Sequence, residues 1–257
     1  MCSDGVLELD DRVAVITGAA GSIGTAIART LTARGARVVL ADRDRARVEQ
    51  LADTLGSERA AWTAGDAGDS THVREAVALA LARFGGLDIA VANAGVFGAV
   101  APIAEYPEDT FSEVMRINVG GPFLLCKYAL PVIRDGGSVI ITSSVVGLTS
   151  DPGICAYATS KHALVGLMRT AMKEAAPRAI RVNTIHPGPT DNAFQHAIEM
   201  TATGLDQAAA TAEFERMIPL GRHATPEEIA ATVAFLAGPS GAFITGATIA
   251  VDGGMSV

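Results

Sequence analysis

The sequence predicts an α/β fold, a parallel sheet covered by helices on both faces. Short aliphatic runs recur along the chain, each followed by a stretch with helical periodicity. Most of these runs are apolar throughout instead of alternating, as strands buried on both faces must be. The 257 residues suit one large domain, with no linker, compositional break or internal repeat. Hydrophobic residues make up 49% of the chain but aromatics only 5%, so small aliphatic side chains must fill the space between helices and sheet.

Residues 13–16 form the first expected strand, followed by a glycine turn and a helix over roughly 23–34. The run 38–40 is the second strand, with a charged helix after Asp42. A weaker third strand lies at 60–62 and precedes a helix over roughly 70–84. Residues 87–91 form the fourth strand, and a long helical stretch covers roughly 108–133. The fifth strand, 138–141, leads to a helix containing Tyr157. The sixth and seventh strands lie at 181–185 and 248–251. The excursion 189–219 has no strand partner, carries an alanine-rich helical part over 207–214, and reads as a lid over a substrate.

The net charge of −8 argues against nucleic acid, whose phosphates require a basic face. Three cysteines, Cys2, Cys126 and Cys155, are too few for a disulfide framework, and no spacing suggests a metal site. Residues 1–5 lack the pattern of a secretion signal, and no apolar run approaches the ~20 residues of a membrane span. The expectation is a soluble cytoplasmic protein with reduced thiols.

Tyr157 and Lys161 stand four residues apart, on one face of the predicted helix. A phenol titrates near pH ~10, too high for easy proton exchange at neutrality. An ammonium beside it favours the ionised form, so the pair reads as a general acid/base.

The first strand runs into Thr17–Gly18–Ala19–Ala20–Gly21–Ser22–Ile23–Gly24. Glycines there let the main chain turn sharply and approach a pyrophosphate at the start of the next helix. Asp42, at the tip of the second strand, is placed to accept hydrogen bonds from ribose hydroxyls and to repel a 2′-phosphate. That favours NAD over NADP. Arg43 is the opposing feature, because an arginine there can grip a phosphate.

With these motifs and Asn93–Ala94–Gly95, Asn118, Ser144, Pro187–Gly188, Ile244–Thr245–Gly246 and Val251–Asp252–Gly253–Gly254, the chain resembles the short-chain dehydrogenase/reductase family over nearly its whole length. The resemblance implies a single Rossmann-like, doubly wound domain with a seven-stranded parallel sheet, assembled as a homotetramer or homodimer. It implies that Tyr157 is the catalytic acid/base, that Lys161 lowers its pKa and holds the nicotinamide ribose, and that Ser144 orients the substrate oxygen. Asn118 is similar to the asparagine that anchors a relay water. Cofactor contacts fall on Gly18, Gly21, Ser22, Ile23, Gly24, Asp42, Asp66, Ala67, Asn93, Gly95, Tyr157, Lys161, Pro187 and Thr190. The chain departs from the compact-branch pattern at Ser22, where glycine is usual, and at Asn192, where threonine is usual.

The expected reaction is hydride transfer between NAD(H) and a small secondary alcohol or ketone. Two other readings stay open. Gly21 matches the spacing of NAD-retaining epimerases and dehydratases, against which the compact length weighs. A non-catalytic dinucleotide sensor is opposed by the presence of all four catalytic residue types. The expected pocket walls (96–97, 145–146, 151–155, Phe194, Met200) are mainly apolar and suggest a neutral substrate body. His196 is a possible substrate contact, His162 and His186 read as packing residues, and Arg216, Arg222 and His223 as surface residues.

Overall fold

The computed structural model describes residues 8–257. Cys2 and the N-terminal segment read above therefore lie outside the described residues. Seven strands form one parallel sheet in the order β3-β2-β1-β4-β5-β6-β7. They are β1 (Val13–Thr17), β2 (Arg37–Asp42), β3 (Ala60–Ala64), β4 (Ile89–Ala92), β5 (Ser138–Thr142), β6 (Arg181–Pro187) and β7 (Thr248–Val251). The seven-stranded sheet expected from the sequence is present, with strand bounds within two residues of those predicted.

Strand alternation divides the core. Along β1, Ala14 and Ile16 point to a layer containing Ile27 and Leu31 of α1 (Ser22–Ala33), Val48 of α2 (Arg45–Leu55), and Ile229 and Val233 of α9 (Pro226–Ala237). Val13 and Val15 point to the opposite layer. There they meet Val73 and Val77 of α3 (Ser70–Phe84), Leu125 of α5 (Gly121–Ala129), and Leu164 and Met168 of α6 (Cys155–Ala175). The winding reverses between β1 and β4. In a doubly wound sheet the carboxyl ends of the strands part at such a point and leave a crevice.

The predicted helix over 108–133 is not continuous. It divides into α4 (Glu108–Met115), a π-helical turn (Arg116–Gly120) and α5, which ends at Ala129. A π turn inserts one residue into the helical ladder and re-aims the side chains around it. Here it brings Asn118 completely under cover. The 189–219 segment contains α7 (Ala193–Thr203) and α8 (Gln207–Arg216). Its first residues are held by a parallel bridge between Thr190 and Ala224.

At the opposite end of the sheet, buried Asp88 ties β4 to β1. Its Oδ2 accepts from the Val13 main-chain N–H at 2.9 Å, while Arg12 and Arg134 donate to Oδ1 and Oδ2, both at 2.9 Å. Replacing Asp88 by alanine orphans a buried amide. The expected loss is about 1–3 kcal/mol in a urea unfolding experiment, and an unchanged midpoint would contradict the tie.

Candidate active site

A cleft of about 560 Å³ opens at the β1/β4 switch point and runs from Asp42 at one end to Tyr157 at the other. All of the sequence-predicted cofactor residues line it, with Asn118 standing just behind its wall.

The glycine loop forms the middle. Gly18 adopts a left-handed φ of +65°, and a Cβ there would lie 2.7 Å from the Ala94 Cα. At Gly24 a Cβ would lie 2.1 Å from the Gly18 carbonyl oxygen, so helix α1 starts directly against the loop only because both positions lack side chains. Gly21 differs. It has an ordinary φ of −70°, and its nearest foreign atom to an added Cβ is at 3.4 Å. The shift of glycine from position 22 to 21 is therefore sterically neutral, since neither position needs a left-handed main chain. Gly21 caps α1 without a side-chain hydrogen bond, and the first turn holds no acidic residue. The amides at this helix start are left available to an anion.

Asp42 closes one end and braces the loop. Its Oδ2 accepts from the Ala20 N–H at 2.9 Å and its Oδ1 from the Asp44 N–H at 3.0 Å. Nearby, Arg116 donates to Asp66 at 2.6 Å and to Glu113 at 2.7 Å. The guanidinium hydrogen bond holds the Asp66 carboxyl below its usual range, against the opposing effect of burial. His72, also lining this end, lies beneath Gly65, where a Cβ would approach its ring to 2.5 Å. Burial lowers the pKa of its imidazole.

At the other end, Tyr157 and Lys161 project from the first turns of α6. The Lys161 ammonium stands 5.5 Å from the centre of the Tyr157 ring and donates to the Thr142 carbonyl at 3.0 Å. Burial pushes the Tyr157 phenol up to about 12, although its hydrogen bond with Ser144 acts in the opposite direction. Burial also draws the Lys161 ammonium down to about 8. The sequence argument that Lys161 brings the phenol down does not describe the protein alone. For both groups the loss of hydration on burial is the largest influence and moves each toward its neutral form.

Asn118 organises this end. Its Oδ1 accepts from the Val96 N–H at 2.8 Å, and its Nδ2 donates to the Val96 carbonyl at 2.8 Å and to Ser160 Oγ at 3.0 Å. Ser160 in turn donates to the Tyr157 carbonyl at 2.7 Å. The amide is therefore fully engaged with protein. Asn93 likewise braces the loop, donating to the Gly18 carbonyl at 3.1 Å.

Several supporting residues escaped the sequence reading. Ser160 bridges Asn118 to the tyrosine helix. His186 is fully buried, with Nδ1 at 2.9 Å from the Ser144 carbonyl and Nε2 at 2.9 Å from Thr184 Oγ1. It packs, as expected, but also fixes the Ser144 main chain. His223 was read as a surface residue, yet it is buried and lies 2.6 Å from Glu199, because the segment 222–224, bridged to Thr190 at Ala224, runs beneath α7. His196 faces Asp191 at 3.2 Å and Gln207 at 3.0 Å and does not line the cleft. Phe194 does line it, whereas Cys155 packs against the cluster of Tyr106 and Val114. Val145, Val146, Ile154 and Phe97 pack into an apolar cluster with Tyr157 and Met255 and, like Met200, do not line the cleft; of the expected walls Val96 and Phe194 do. Only the proximity of Ser160 to the Tyr157 motif gave any signal of its role in the sequence. Among the described residues no group of His, Cys, Asp or Glu is arranged to hold a metal, and no helix is long and apolar enough to cross a membrane.

Residues 18–256 match the family model described as Enoyl-(Acyl carrier protein) reductase. The chain is 36% identical to human "Dehydrogenase/reductase SDR family member 4", over 99% of this chain and 92% of that protein. It is 37% identical to "Cis-4-hydroxycyclohexanecarboxylate dehydrogenase" of Sinomonas cyclohexanicum, over 95% of this chain and 96% of the relative. Among solved structures, a blue fluorescent protein from a metagenomic library, in complex with NADPH, superposes with a TM-score of 0.87. It shares 34% identity, covering 97% of this chain and all of the other.

The glycine geometry leads to a paired expectation. Gly24→Ala forces main chain apart and costs about 1–3 kcal/mol, whereas Gly21→Ala costs only about 0.5 kcal/mol. Urea unfolding of the two variants checks the contrast, and equal losses would contradict it.

Proposed function

The chain belongs to the short-chain dehydrogenase/reductase family of oxidoreductases, and from that premise we propose that it transfers hydride between NAD(H) and a small secondary alcohol or ketone. One observation carries the reading: Tyr157, Lys161 and Ser144 converge at the end of a cleft whose far end presents the Asp42 carboxylate.

The residues fit a nicotinamide dinucleotide. Main chain with no room for a Cβ at Gly18 and Gly24, followed by the uncapped start of α1, suits a pyrophosphate. Asp42 would hold the adenosine ribose, Asp66 and Ala67 would flank the adenine, and Asn93, Gly95, Pro187 and Thr190 would flank the nicotinamide half. Bound there, the dinucleotide supplies the hydride donor or acceptor.

The chain's own residues align the substrate carbon and move one proton. In ketone reduction the Tyr157 hydroxyl, protonated at neutral pH like any phenol and kept so by burial, gives its proton to the substrate oxygen. In alcohol oxidation the phenol must first release its own proton to solvent. The resulting tyrosinate, favoured by the Lys161 ammonium one turn away, then takes the hydroxyl proton as hydride leaves. Ser144 donates to the substrate oxygen as charge develops there. The Asn118 side-chain amide is occupied, so any relay water at this position would have to be held by other groups. The apolar side chains of Val96 and Phe194 in the cleft lining favour a neutral, apolar substrate body. A relative named for cis-4-hydroxycyclohexanecarboxylate supports an alicyclic class of secondary alcohol.

Assembly as a homotetramer or homodimer belongs to the same reading, supported by the exposed rings of Phe123 and Phe243. So does a cytoplasmic setting, supported by the free thiols of Cys126 and Cys155.

Screening secondary alcohols with NAD and NADP, beginning with cyclohexanol, tests the activity by absorbance of the reduced cofactor. Tyr157→Phe is expected to lose ~10²–10⁴-fold in turnover while retaining NADH binding by fluorescence titration, and near-normal turnover would remove Tyr157 from the mechanism. Asp42→Ala is expected to lower the NAD:NADP ratio of kcat/KM roughly tenfold or more, the loss of a charge-assisted hydrogen bond. A native preference for NADP would overturn the assignment of Asp42.

A further inference from the structure

We propose that Glu199 and His223 are positioning residues, forming a buried clasp that holds helix α7 against the substrate end of the cleft so that Phe194 and Gln195 face the substrate. The proposal deepens the functional reading above and depends on it for what those two side chains meet.

Glu199 is wholly buried although it lies on a lid helix far from the sheet core. A carboxylate so placed requires partners for its oxygens. It has three. His223 Nε2 lies 2.6 Å from Oε1, Gln195 Nε2 donates to Oε1 at 3.0 Å, and Thr211 of α8 donates to Oε2 at 3.1 Å. The other imidazole nitrogen, Nδ1, lies 3.5 Å from Glu215, also on α8. One carboxylate thus joins α7, α8 and the segment preceding α9.

That segment is fixed independently. The Ala224 N–H donates to the Pro189 carbonyl at 2.9 Å, and the Asp191 N–H donates to the Ala224 carbonyl at 2.8 Å. His223 is therefore anchored by the same main chain that carries Thr190 into the cleft. Glu199 transmits this anchor to Gln195, one turn earlier on α7 and itself a cleft residue next to Phe194. An apolar contact would stabilise two amphipathic helices equally well without selecting one pose. A carboxylate with directional partners on three segments selects one.

The main-chain anchor of Thr190 does not need the clasp, so substrate and cofactor should respond differently to its loss. Glu199→Ala and His223→Ala are expected to raise the KM for cyclohexanol roughly tenfold, the usual scale for orphaning a buried polar partner. In both variants kcat and the Kd for NADH are expected to stay within about threefold of wild type. Glu199→Gln keeps the length and the acceptor oxygen and should restore most of the KM. Hydrogen–deuterium exchange in the substrate-free protein reads the clasp directly. Residues 193–203 should exchange at least roughly tenfold faster in the alanine variants, with α6 and β6 unchanged. Should an alanine variant fail to fold, Thr211→Val removes one donor while preserving shape and must give a smaller acceleration in the same segment. Wild-type exchange over 193–203 in Glu199→Ala, or in Thr211→Val if that variant stands in, would overturn the proposal. Altered exchange without turnover of any alcohol would uphold the clasp while rejecting the reaction proposed above.

Discussion

The buried amide of Asn118 is the constraint on which the reactive end of this molecule depends. Three hydrogen bonds join the loop after β4, the π turn and helix α6. An amide sealed from water cannot trade these partners for solvent, so each carries the penalty of an unmade bond if it is lost. Through Ser160 the amide also fixes the main chain at Tyr157. A wider helical turn was needed to aim it inward, which accounts for a locally irregular helix inside an otherwise regular layer.

Charge at this end is governed by dryness more than by proximity. The Tyr157 phenol and the Lys161 ammonium each move toward their neutral forms because burial penalises both ions. A chain that held a fixed tyrosinate would store an ion with little to stabilise it when the cleft holds no dinucleotide. Keeping the phenol protonated when the cleft is empty avoids that cost, and the Lys161 ammonium remains beside it to favour ionisation when the surroundings change.

The sheet and the order of the motifs were legible because they are short-range signals. Aliphatic runs of four or five residues, a glycine turn beside a strand, and Tyr157 one turn from Lys161 each announce themselves locally. What stayed hidden depends on segments that meet only after folding. The π turn is set by Val96 and Ser160, which lie 22 and 42 residues from Asn118. His223 and Glu199 are 24 residues apart, and nothing around either foretells that one will be buried against the other. The raised phenol pKa also escaped, since spacing along a helix shows adjacency but says nothing of hydration.

The two ends of the cleft differ in one further respect. Asp66, Arg116 and Glu113 form a half-exposed trio, with 41–52% of their side-chain surface open to solvent, whereas Lys161 is sealed. Mobile ions in the medium reach the first and not the second, and at physiological strength they damp fields over about 8 Å. Brine would therefore loosen the Asp66–Arg116–Glu113 trio while leaving the surroundings of Lys161 nearly untouched, so ionic strength acts on one end of the cleft far more than on the other.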